Sequence, residues 1–112
     1  MIRSSTVDQG VVTLSLAGSR LDAANAAEFK EALARTIDEG QTRIVLDMAG
    51  IAFIDSSGLG ALVGVLKRLG SRGDLALAAV QPAVQKALTL TRMDRVFQIF
   101  PDTGSAATKL RG

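Results

Sequence analysis

The sequence holds no cysteine, histidine, tryptophan or tyrosine in 112 residues. Without cysteine there are no disulfides, no thiol chemistry and no zinc site with sulfur ligands. Without histidine the commonest general base and the usual transition-metal ligand are missing, so a Ser-His-Asp hydrolase cannot be assembled from this chain. Aromatic rings are limited to Phe29, Phe53, Phe97 and Phe100. Charge of one sign is scarce as well: 13 Lys and Arg face 11 Asp and Glu, and the largest local concentration is Lys67, Arg68 and Arg72. Nucleic-acid modules carry a denser basic surface and more stacking rings, so no nucleic-acid partner is expected. The longest uncharged apolar run, Leu59 to Leu66, is interrupted by Gly60 and Gly64. It falls far short of the ~20 residues of a membrane span, so no membrane insertion is expected. The opening Met-Ile-Arg-Ser-Ser lacks an apolar signal segment, which points to a cytoplasmic protein.

What is present is a 47% hydrophobic chain, enough for one packed domain over residues 1–112. Val11 to Leu16 alternates like a half-buried strand after the turn residues Asp8-Gln9-Gly10, and Arg3 to Val7 supplies the other arm of a hairpin. Ala23 to Glu39 reads as a helix: Ala26, Phe29, Leu33 and Ile37 share a face, Asp22 stands at the N-cap, Glu31 and Arg35 form an i,i+4 pair, and Gly40 ends it. Arg43 to Met48 is a strand, and Ile51 to Ile54 leads into a second helix from Ser57 to Gly70 with Leu59, Leu62, Val63, Leu66 and Leu69 as its buried stripe. Leu75 to Val80 is apolar on both faces, as in a central parallel strand. Pro82 opens a third helix, Val96 to Phe100 forms a last strand stopped by Pro101, and Ala106 to Arg111 makes a final helical turn or two. Strand alternating with helix gives an α/β class: a single mostly parallel sheet opened by an N-terminal hairpin, with about four helices.

The stretch Asp55-Ser56-Ser57-Gly58-Leu59-Gly60 places an acid, two hydroxyls and a glycine at a strand-to-helix junction. Helix N-termini present unpaired N–H groups and partial positive charge, so a serine there can cap, bind a phosphate or carry one. Enzymatic readings fail on spacing. A nucleophile elbow needs glycine two residues before the serine, and no histidine exists to activate it. Lys67 does not follow a glycine as a P-loop requires, and Gly58-x-Gly60-x-x-x-Gly64 misses the dinucleotide fingerprint by one residue. No motif supports a magnesium site shared by Asp22, Asp47 and Asp55. Catalysis is not expected, and neither a metal nor a cofactor is called for.

Together with Gly18-Ser19-Arg20-Leu21-Asp22 and Val96-Phe97-Gln98-Ile99-Phe100, this stretch resembles the STAS domain family, in particular its stand-alone anti-sigma factor antagonists. The resemblance runs from Val11 to Leu110, and its Asp-Ser-Ser-Gly-Leu-Gly motif is highly specific in this context. It implies that Ser57, immediately before the glycine, is a phosphate acceptor. It also implies that the unphosphorylated form binds an anti-sigma factor that is a serine kinase, which phosphorylates it with ATP. A PP2C-type phosphatase then restores it. Asp22, Asp55, Ser56, Gly58 and Gly60 would line the recognition surface of a monomer or weak dimer. The resemblance admits a second reading, a STAS partner of another assembly such as a lipid-transport ABC system, with no phosphorylation.

Each residue also has a plainer role. Ser57 and Ser56 are good helix caps, Asp55 a satisfied loop acid, and Asp22 an N-cap before it is a partner contact. Gly58 and Gly60 are costly in a helix at ~1 kcal/mol each, which favours close approach of a partner. Gly64 suits packing against the sheet. Lys67, Arg68 and Arg72 suit a solvated helix end that complements the dipole.

Overall fold

The computed structural model describes residues 1–112. Its first hairpin joins β1 (Ile2–Asp8) to β2 (Val11–Leu16) through Gln9 and Gly10, both with positive φ, the turn geometry that matches the twist of antiparallel strands. The chain continues through β3 (Arg20–Leu21), α1 (Ala26–Asp38), β4 (Arg43–Asp47), β5 (Phe53–Ile54) and α2 (Ser56–Leu69). It ends with β6 (Asp74–Ala78), α3 (Pro82–Leu90), β7 (Gln98–Phe100) and α4 (Thr103–Arg111). The main sheet has the order β1-β2-β4-β6-β7, antiparallel in its first pair and parallel in the rest. The expected α/β architecture with four helices is therefore present. A second, two-stranded parallel sheet of β3 and β5 adds to the one sheet expected.

Period-2 alternation sorts the strands onto two faces. Val12, Leu14, Leu16, Ile44, Leu46, Leu75 and Leu77 face a large core shared with Phe29, Leu33 and Ile37 of α1, Leu62 and Leu69 of α2, and Val84 and Leu88 of α3. Val11, Val45, Ala76 and Ala78 face the other way, onto Ala106 and Leu110 of α4. Three helices thus cover one face and α4 alone covers the other.

Several boundaries differ from the sequence expectations for local reasons. Helix α1 starts at Ala26, because residues 22–25 form a turn in which the Asn25 side chain accepts from the Asp22 N–H and donates back to the Arg20 carbonyl. Asn25 is the flanking residue and makes no capping bond; Asp22 is not the N-cap. No Glu31–Arg35 ion pair forms, whereas Arg68 of α2 reaches Asp38 with bonds of 2.8 and 3.0 Å. The buried stripe of α2 is Gly58, Ala61, Leu62, Val65 and Leu69, and Leu59, Val63 and Leu66 are only half-buried. Residues 93–95 wind into a 3-10 turn after Arg92 at φ 61°, so the last strand shortens to Gln98–Phe100. Asp102 caps α4, which lets it begin three residues before Ala106.

Candidate functional site

The β3–β5 pair sets Arg20 opposite Phe53 and Leu21 opposite Ile54. One step further along both strands stand Asp22 and Asp55. Asp55 has extended backbone and is the N-cap of α2: its Oδ1 accepts from the Gly58 N–H at 2.9 Å. Its Oδ2 accepts from the Ala23 N–H at 3.1 Å, and its own N–H donates to the Leu21 carbonyl at 3.3 Å. One carboxylate therefore ties together the two segments, 18–22 and 55–60, that stood out in the sequence.

Gly58 lies beneath this tie. It is buried, and a Cβ built on it would fall on the Leu21 carbonyl oxygen and 2.8 Å from Ile54 Cγ1. Glycine is thus required by the chain's own backbone and not by an approaching partner. Gly60 is exposed with open space where a Cβ would stand. Gly64 faces Lys30 of α1, 3.0 Å from its Cε, so its small size serves helix–helix and not helix–sheet packing.

Ser56 and Ser57 occupy the first two helical positions, are exposed, and neither hydroxyl makes a hydrogen bond within the chain. Since Asp55 supplies the cap, neither serine caps the helix. Asp22 closes the preceding turn instead: its carboxylate accepts from Arg20 Nε at 2.9 Å and from the Ala24 N–H at 3.1 Å. The hydrogen bond from Arg20 is the main cause that holds the Asp22 carboxyl below its ordinary value; the Ala24 N–H and the Arg20 charge add to it, against desolvation. Asp47 lies apart, accepting from Ser15 Oγ and the Ala49 N–H, and no three acids converge as metal ligands.

Two residues of this surface have no role assigned from the sequence. The Phe53 ring is 40% exposed, and the Arg20 guanidinium stacks 4.1 Å over its centroid. The alternation Phe53-Ile54 beside Ile51 carries a faint signal that one ring faces out; nothing in sequence pairs it with Arg20.

The STAS domain family model matches residues 3–106. The chain belongs to the STAS domain family. Among its relatives, the anti-sigma-F factor antagonist RsfB of Mycobacterium tuberculosis is 27% identical over 103 residues, which cover 92% of this chain and 84% of that protein. A crystal structure from Thermotoga maritima, described as a candidate anti-sigma factor antagonist, superposes with a TM-score of 0.90 at 29% identity, covering 97% of this chain and 94% of that one. The phosphorylated form of the Bacillus cell fate determinant SpoIIAA shares the fold, with a TM-score of 0.73 at 20% identity and coverage of 97% and 98%.

In this STAS domain the basic end of α2 is a solvated helix terminus. Arg68 is paired with Asp38, and Arg72 donates to the Arg68 carbonyl at 2.6 Å, which satisfies one of the last helical acceptors. No helix is long and apolar enough to cross a membrane.

Proposed function

We propose that this STAS domain is a non-catalytic, cytoplasmic anti-sigma factor antagonist that works by partner switching, with Ser57 as the switch. The observation that carries the reading is the free Ser57 hydroxyl, exposed at the second helical position while Asp55 performs the capping. Modifying it breaks no internal bond. Its relatives' role as antagonists supports the same reading.

Unphosphorylated, the surface formed by Asp22, Asp55, Ser56, Ser57 and Gly60 binds an anti-sigma factor that is also a serine kinase; Gly58 acts from beneath by letting Leu21 approach. The kinase brings ATP and magnesium. Ser57 Oγ attacks the γ-phosphorus, the bond to the β-phosphate oxygen breaks, ADP leaves, and the hydroxyl proton passes to a base on the kinase. The product carries about −1.5 to −2 charge on Ser57. The start of a helix accommodates that charge within the domain. A docked partner does not, because repulsion and desolvation at a buried contact cost several kcal/mol. Hydrolysis by a PP2C-type phosphatase returns the hydroxyl.

The test is calorimetric binding of three forms to the host's anti-sigma factor. The unmodified chain and Ser57→Ala should bind alike, and phosphoserine at position 57 should weaken binding by ~100-fold or more, about 3 kcal/mol. Equal binding of all three forms would overturn the switch.

A further inference from the structure

Arg20 is the one cation that makes a hydrogen bond or ion pair with any residue of segments 18–25 and 53–60. Arg20 and Phe53 are directly opposite in a parallel pair, so their side chains leave the same face, while Leu21 and Ile54 turn inward and are buried. The arginine runs forward along that face. Its Nε reaches Asp22, whose neighbour across the pair is Asp55, the first residue of the α2 junction. The positive charge is therefore held between Asp22 and the Phe53 ring, on the strand pair that leads into α2, by a side chain that is 58% exposed. Only Nε is hydrogen-bonded; the two terminal nitrogens have no partner in the chain. Paired guanidinium N–H groups are the donors that a phosphate accepts in bidentate fashion.

We infer that Arg20 is an intrachain receptor for a phosphoryl group on Ser57. The inference rests on the reading of Ser57 as the acceptor. Phosphorylation would put a third acid beside Asp22 and Asp55, and Arg20 is the cation tethered there to meet it. Lys30 of α1 lies against Gly64, about two turns further along α2, and Arg68 is already paired with Asp38 at the far end of that helix. Drawing the guanidinium toward the phosphate takes it off the Phe53 ring. The switch then changes the shape of the surface beside Ser57 as well as its charge.

Phosphoserine incorporated at position 57 during translation permits a direct test by 31P NMR titration. The second ionisation of the phosphate should fall below its usual value of about 6. In Arg20→Ala it should rise by about one unit, as Asp22 and Asp55 act on it unopposed, and Arg20→Lys should fall between. Unphosphorylated Arg20→Ala should keep its amide spectrum outside residues 18–25 and 53–60, which separates loss of the receptor from loss of the fold. The same ionisation in wild type and Arg20→Ala, or a larger shift in Lys30→Ala, would overturn the inference. Because the phosphate is installed by translation, an absence of phosphorylation in cells would sink the proposed function and leave this result standing.

Discussion

Helix α2 begins Asp55-Ser56-Ser57-Gly58 and helix α4 begins Asp102-Thr103-Gly104-Ser105, each led by an aspartate that accepts the N–H of the third helical residue, at 2.9 and 2.7 Å. At α4 the hydroxyl is drawn into the cap: Ser105 Oγ donates to Asp102 Oδ1 at 2.9 Å. The backbone and side-chain bonds from Ser105 hold the Asp102 carboxyl below its ordinary value. At α2 the third residue is a buried glycine, and the spare carboxylate oxygen crosses to Ala23. Both serines are left unbonded. The same capping chemistry thus closes on itself at one junction and, at the other, joins two loops while freeing a hydroxyl for other chemistry.

The contrast is sharpest at the glycines. Gly58→Ala drives a methyl into the Leu21 backbone and should cost about 2–3 kcal/mol in urea unfolding, beyond what the gain in helix propensity offsets. Gly104→Ala meets only Asp102 Oδ1 at 3.5 Å and should be stabilising by up to about 1 kcal/mol. Equal effects at the two positions would erase the distinction. Next in size is the cap: Asp55→Ala should cost about 1–2 kcal/mol and speed amide exchange at both Gly58 and Ala23. Asp102→Ala should speed exchange within the first turn of α4, chiefly at Ser105, and at no residue of another segment.

Smaller effects follow from titration. Asp22 and Asp102 have lowered carboxyl pKa values in the folded chain, so their stabilisation is present above the ordinary value of 3.8 and is lost as pH falls through the folded value. With no histidine, stability should stay nearly level around neutral pH. Asp22→Asn should flatten part of the acid limb of a thermal-melt series. The smallest expected change is Ser57→Ala, within about 0.5 kcal/mol of wild type, since no bond is lost. Ser105→Ala should cost more, because its hydroxyl belongs to the cap.

Most of the sheet and the helices were legible because their apolar periods agree with turn and cap signals. The α2 stripe was not, since Leu59, Val63 and Leu66 follow a helical period as well as Ala61 and Val65 do. What chose between them was Gly58, whose face had to meet Leu21, a contact 37 residues back in the chain. The site was legible as a motif and misread in its parts. Asp, Ser and Thr are interchangeable as caps in sequence, so the capping role could be assigned to Ser57 as easily as to Asp55. Only the bonds from Gly58 and Ala23 decide it. The pairing of Arg20 with Phe53 was not legible, because a two-residue strand pair has no periodicity to betray its register.

Site-resolved mass spectrometry of the protein from its native host, with and without phosphatase, reads the freed hydroxyl most directly. With Ser57 as the acceptor of the proposed function, the contrast between the junctions predicts a single phosphatase-sensitive phosphate on Ser57 and none on Thr103 or Ser105. An unmodified Ser57 across growth, stress and starvation, or a phosphate on the α4 junction instead, would contradict it.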